Sequence, residues 1–233
     1  MAQSTSHLSI DENIRIETAR GYIEGDLSIP ENPQGIILFA HGSGSSRHSP
    51  RNRFVADALH QRGLGTLLID LLTAEEEQVD VETAEHRFNI DLLVERLLTA
   101  SDWLSSHAVA RQLPIGYFGA STGAAAALRA AAERPETAAV VSRGGRPDLA
   151  GDALPRVKAA TLLIVGDLDY PVLALNREAL DRLENSRHRE LALVADATHL
   201  FEEPGALEEV ARLAGDWFTK HLGTEQPRGN RAK

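Results

Sequence analysis

The chain has 233 residues, 42% hydrophobic and 25% charged, with no cysteine and a formal net charge of −10. Those proportions fit a soluble globular protein, and the missing cysteines exclude disulfide frameworks, thiolate metal sites and a cysteine nucleophile. The acidic excess argues against a nucleic-acid partner, which needs a clustered positive field.

No apolar run approaches the ~18–20 residues of a membrane span. The polar start MAQSTSHLSIDEN lacks the basic and apolar segments of a signal peptide. The expectation is a cytoplasmic protein with no membrane partner. A single domain is expected over 1–233, with residues 1–12 and 223–233 as loose tails.

In chain order, IRIET (14–18) and YIEGDLSI (22–29) alternate apolar and polar residues around Ala19-Arg20-Gly21 and predict an antiparallel hairpin. GIILFA (35–40) is a continuous apolar run, as in a strand buried on both faces. The same signature returns at TLLID (66–70), IGYFGA (115–120), AAVVS (138–142), TLLIVG (161–166) and ELALVA (190–195). Amphipathic stretches lie between. One carries Phe54, Val55, Ala58 and Leu59, and one runs from Ile90 to Leu104. Others follow Ser121, cover 172–184 and cover 205–221. Such alternation predicts an α/β fold, a mostly parallel twisted sheet of about eight strands with helices on both faces. The connection 71–88 holds Glu75, Glu76, Glu77, Asp80, Glu82 and Glu85 and reads as a solvated acidic loop.

Chemistry concentrates at Gly119-Ala120-Ser121-Thr122-Gly123, a G-x-S-x-G segment between a buried strand and an Ala-rich helix. A sharp strand-to-helix turn there would hold the Ser121 hydroxyl at the carboxyl edge of the sheet, under the dipole of the next helix. A serine hydroxyl needs a base, and the base an orienting acid. Both follow in the order acid, histidine: Asp167 and Asp169 after the strand TLLIVG, and His199 after ELALVA. The other histidines fit less well. His7, His60, His86, His107, His188 and His221 read as solvated, His41 as shaping a turn, and His48 as a pocket residue. Arg47, Arg51 and Arg53, and separately Arg143 and Arg146, are candidates to clamp an anionic substrate.

On GIILFAHGSGSS, GASTG, GDLDYPV and ATHLF, the chain resembles the α/β-hydrolase superfamily, within it the lidless dienelactone-hydrolase-like group, over nearly all of residues 14–220. The resemblance implies a Ser121–His199–Asp169 triad, since the family's acid follows the strand-terminal glycine by three positions. It also implies an oxyanion hole from the backbone N–H groups of Thr122 and Ser43. The reaction implied is hydrolysis of a small-molecule carboxylic ester, thioester or lactone through an acyl-enzyme, with no metal and no organic cofactor. Only about 15 residues, SRGGRPDLAGDALPR (142–156), connect AAVVS to the next strand pattern, too few for a lid domain.

Two other readings stand beside this one. A non-catalytic or engineered protein of the same fold would bind a ligand without turning it over. A dinucleotide-binding protein would use Gly42-Ser43-Gly44 and Asp70. Oligomeric state is open, with a homodimer through a sheet edge as one option.

Overall fold

The structure, a computed structural model, describes residues 8–223. Each continuous apolar run is a strand of one eight-stranded sheet. Its strands are β1 (Leu8–Thr18), β2 (Gly21–Pro30), β3 (Ile36–Ala40), β4 (Gly65–Ile69), β5 (Ile115–Ala120), β6 (Ala139–Arg143), β7 (Ala160–Gly166) and β8 (Arg189–Val194). Their order is β1-β2-β4-β3-β5-β6-β7-β8. β2 alone runs against the rest: it pairs antiparallel with β4, and β1 folds back on it as the outer strand. From β4 to β8 every pairing is parallel. Parallel pairing buries both faces, and the central strands are apolar at nearly every position.

The helices are α1 (Pro50–His60), α2 (Ala74–Thr83), α3 (Ile90–Ser106), α4 (Thr122–Glu133), α5 (Tyr170–Arg182) and α6 (Ala206–Leu222). One face of the sheet packs Leu38, Leu67, Tyr117 and Val140 against α3 and α4. The other packs Phe39, Phe118, Val141 and Ile164 against α1 and α6. After β6 the chain makes a 3-10 segment, Pro147–Arg156, and among the described residues no lid domain covers the carboxyl edge.

Three expectations need correction. Residues 8–12 are not a loose tail. They open β1, where Ile10 pairs with Ile29 and the Ser9 hydroxyl donates to the Ile29 carbonyl at 3.0 Å. Residues 1–7 and 224–233 lie outside the described residues.

The acidic connection is a helix, α2, and two of its carboxylates are buried. Thr73 Oγ1 accepts the Glu76 N–H, and the Glu76 carboxylate accepts the Thr73 N–H, closing a capping box. The other Glu76 oxygen takes Arg96 Nη2 at 2.7 Å, where Arg96 is itself fully buried. Asp80 is 1% exposed and accepts the N–H groups of His86 and Arg87 and the Arg87 Nε–H. Burial alone would raise its pKa; the donors from Arg87 and His86 outweigh that and hold the carboxyl below its ordinary range.

His60 is also buried rather than solvated, with Nε2 2.7 Å from the Thr66 hydroxyl.

Candidate active site

The turn from β5 into α4 is as sharp as the sequence pattern predicts. Ser121 sits at φ 51°, ψ −120°, a region that costs a non-glycine residue about 1–3 kcal/mol. The flanking glycines make it possible by close approach. A Cβ on Gly119 would lie 2.4 Å from Ala124 Cα, and one on Gly123 2.3 Å from the Ala40 carbonyl oxygen. The strained backbone is held from β6: the Ser121 N–H donates to the Arg143 carbonyl, and the Ser121 carbonyl accepts the Arg146 N–H. Helix α4 then starts immediately, so its N-terminal dipole is directed at the serine.

Asp169 and His199 come from the next two strand ends. The loop after β7 is tied to the loop after β8 by Leu168 N–H on the Ala197 carbonyl and Asp167 N–H on the Val194 carbonyl. Across that junction His199 Nδ1–H donates to Asp169 Oδ2 at 2.7 Å. A carboxylate only accepts, so the proton is on Nδ1 and Nε2 is left as an acceptor. Asp169, not Asp167, is therefore the acid that reaches the imidazole. The Asp169 side chain is 11% exposed and that of His199 39%, so the pair borders solvent on the histidine side.

Ser121 and His199 share a neighbour. Arg143 carries the Ser121 N–H, and the next residue, Gly144, lies against the imidazole: a Cβ there would be 3.5 Å from His199 Nδ1. Among the described residues no hydrogen bond joins Ser121 Oγ to His199. Glu203 belongs to the site and was not singled out from the sequence. Its carboxylate accepts the Thr198 hydroxyl at 2.5 Å and the Thr198 N–H at 3.1 Å, bracing the loop one residue before His199. The hydroxyl bond is the main cause that holds the Glu203 carboxyl below its ordinary range. Nothing in the Glu202-Glu203 pair after ATHLF marks that role in sequence.

The loop after β3 approaches the serine from the other side, with a Cβ on Gly42 falling 3.2 Å from Ser121 Cβ. Ser43 N–H donates to the Thr122 hydroxyl oxygen at 3.0 Å, which joins the two segments expected to supply oxyanion donors but occupies one of them. His41 shapes the turn: Nδ1–H donates to the Gly42 carbonyl and Nε2 accepts the Leu71 N–H. Burial lowers its pKa, so it stays neutral. A cavity of about 270 Å³ opens beside this loop, lined by Tyr22, Ser46, Leu72 and Glu77 among others.

The arginines separate into two kinds. Arg47 is held by Asp70, Asp26 and Glu24, and Asp70 also accepts its N–H. That network leaves Arg47 no donor face for a substrate and leaves Asp70 committed within the chain. Arg146 makes a two-pronged pair with Asp148 at 2.8 and 2.7 Å, and Arg53 pairs with Asp26. His48 is exposed, and among the described residues its ring has no hydrogen-bond partner. Arg143 differs: it is 8% exposed, and its guanidinium has neither a salt bridge nor a hydrogen bond among the described residues. Those residues also include no group of three or more His, Cys, Asp or Glu side chains placed to hold a metal ion, and no helix long and apolar enough to cross a membrane.

A serine in a strand-to-helix elbow, with an acid and a histidine on later strand ends of a mostly parallel sheet, is the architecture of the α/β-hydrolases. Comparison with known proteins agrees. The crystal structure of a dienelactone hydrolase from Anabaena variabilis is 57% identical, superposes with a TM-score of 0.88, and is matched over 91% of this chain and 98% of that one. The chain belongs to the dienelactone-hydrolase-like group of the α/β-hydrolase superfamily. An esterase from Pyrococcus furiosus shares the fold at 19% identity, with a TM-score of 0.76 and 92% of each chain covered. A Mycobacterium tuberculosis (strain H37Rv) protein whose name proposes a phosphoribosyl transferase is 53% identical over 220 residues. Those residues are 94% of this chain and 48% of that protein, so the chain spans about half the length of the curated relatives it matches. No protein-family model matches the chain.

Proposed function

We propose that this protein is a serine hydrolase acting on a small carboxylic ester, thioester or lactone, with Ser121 as nucleophile, His199 as base and Asp169 as its orienting acid. The observation that carries this reading is the 2.7 Å bond from His199 Nδ1–H to Asp169, made at the sheet edge where Ser121 is held at φ 51°. In the proposed reaction His199 Nε2 takes the Ser121 proton as Oγ attacks the carbonyl carbon. The imidazolium, stabilised by Asp169, returns that proton to the leaving group, and an acyl-enzyme forms on Ser121. Water activated by the same imidazole then releases the acid. The Ser121–His199 bond is not made at rest; such bonds commonly tighten only with substrate in place.

The oxyanion would be received by the Thr122 and Ser43 N–H groups. Ser43 N–H is held at rest by the Thr122 hydroxyl, so the Thr122 side chain must release or share it as charge develops. The route calls on no metal or organic cofactor. Phosphoribosyl transfer is not proposed for this chain, since the match to the protein so named covers 48% of it.

The test is covalent labelling with a serine-directed fluorophosphonate, read beside hydrolysis of p-nitrophenyl acetate. Wild-type protein should be labelled and Ser121→Ala should not, and the variant should lose ~10⁴-fold or more of kcat while keeping its melting temperature. Turnover that persists unchanged in Ser121→Ala would support the non-catalytic reading instead.

A further inference from the structure

Three arginines and one carboxylate line a cavity of about 570 Å³ at the amino-terminal edge of the sheet, the edge away from Ser121. Its floor is apolar, made by Leu113, Pro114, Ile115 and Leu222. The size lies within the range of small-molecule sites. The carboxylate, Glu136, is taken by Arg134 at 3.0 Å, and Arg134 also pairs with Asp102. That leaves Arg111 and Arg187, both exposed. Among the described residues neither guanidinium has a salt bridge or a hydrogen bond. In a chain with 34 acidic and 24 basic residues, two unmatched cations over one apolar floor are a local reversal of charge.

His221, in the last turn of α6, points to a ligand independently of charge. Its ring sits against those of Trp217 and His188, with centroids 4.4 and 5.1 Å away. Burial first, then the charges of Lys220 and His188, lowers its pKa to about 4, so the ring is neutral at pH 7. A neutral imidazole carries one N–H. Nε2 is buried without a hydrogen-bond partner, and an N–H there would have nothing to donate to. The proton therefore belongs on Nδ1, which has no partner among the described residues either. The ring lines the cavity, so this N–H is a donor left for a ligand.

We infer that this edge of the sheet is a binding site for an organic carboxylate with an apolar body, held by Arg111, Arg187 and the His221 N–H over the floor at Leu113 and Ile115. Carboxylate oxygens match the planar fork of a guanidinium, and the floor buries the hydrocarbon part that an inorganic anion lacks. The site is separate from the proposed active site. β5 runs from Ile115 in the floor to Ala120 beside Ser121, roughly 17–20 Å of strand. A ligand here does not touch Ser121, and the inference stands apart from the serine-hydrolase reading.

The test is isothermal titration calorimetry with benzoate, benzamide and inorganic phosphate, on wild type and on Ser121→Ala. Both proteins should bind benzoate with a Kd of roughly 0.1–1 mM, the range open to a ligand of this size. Benzamide keeps the shape without the charge, and phosphate keeps charge without the apolar body. Each should bind at least ~10-fold more weakly. Arg111→Gln and Arg187→Gln should each raise the benzoate Kd about threefold, and the double variant about tenfold. Both side chains are exposed, so the variants should fold, with an unchanged melt as the check. Arg177→Gln, at an exposed α5 position outside the cavity lining, removes the same net charge and should leave Kd unchanged. Equal affinity for benzamide or phosphate, an unchanged Kd in the double variant, or an equal loss in Arg177→Gln overturns the inference. Turnover that depends on Ser121 with no benzoate binding removes this site and leaves the hydrolase reading standing. Benzoate binding lost in the double variant, with no turnover that depends on Ser121, does the reverse.

Discussion

Replacing Asp169 by Asn isolates the contact on which the proposed chemistry depends. The substitution keeps shape and removes charge, so the imidazole loses the partner that stabilises its protonated form. At 2.7 Å and an effective dielectric near 20, that attraction is roughly 6 kcal/mol. His199 is 39% exposed, so water screens part of it, and about 4–6 kcal/mol is the reasonable range. The range converts to a fall in kcat of about 10³–10⁴. The Asn amide also presents an N–H₂ to Nδ1, which favours the tautomer with its proton on Nε2, unable to accept from Ser121. The assay is kcat for p-nitrophenyl acetate at fixed pH, with Asp167→Asn as the matched control and a melt to confirm folding. Asp167 leaves the same strand end without touching His199, so its variant should keep most activity. An Asp169→Asn enzyme retaining more than about a tenth of kcat, or an equal loss in Asp167→Asn, would refute the assignment.

Further consequences concern the scaffold that holds this contact. Glu76→Leu leaves Arg96 fully buried with only the exposed Glu95. It should cost about 3–5 kcal/mol, a fall in Tm of roughly 6–10 °C for a chain of this size; adding Arg96→Met should recover most of it, both read by circular-dichroism melts. Gly123→Ala places a methyl 2.3 Å from the Ala40 carbonyl and 2.4 Å from that of His41. The expected loss is about 3 kcal/mol or more, seen as reduced soluble yield and Tm. Thr122→Val removes the acceptor of the Ser43 N–H and should lower kcat about tenfold or more by loosening the oxyanion loop, whereas Thr122→Ser, which keeps the oxygen, should stay within about threefold.

The strands were legible because each core strand is a continuous apolar run whose type depends on no distant residue. GIILFA and IGYFGA read the same in the sequence and in the sheet, each shifted by at most a residue or so. The elbow was legible for a related reason: G-x-S-x-G is a local steric requirement, visible wherever a strand must turn at once into a helix. Helix α2 was not, because its residues show no apolar stripe and its acidic surface resembles a solvated loop. Its one local signal was the capping box spelled by Thr73 and Glu76. That Glu76 and Asp80 are buried could not be read at all, since the cause lies in Arg96 and Arg87, on later segments.

The arginines show where local reading stops. Arg47 and Arg143 looked equivalent as candidate clamps, and what separates them is the strand each one faces. Arg47 meets Glu24, Asp26 and Asp70 from β2 and the end of β4, a match made by the hairpin joining the sheet on that side. Arg143 ends a central strand where its register partners are Ala120 of β5 and Ile164 of β7, neither of them a carboxylate. The same strand end holds Ser121 through a backbone carbonyl and lies under His199 through Gly144. The turn after β6 therefore touches both the proposed nucleophile, which comes from the end of β5, and the proposed base, which comes from the loop after β8. That arrangement ties the strain at Ser121 to the position of the imidazole, and it makes a shift of Arg143 felt at both.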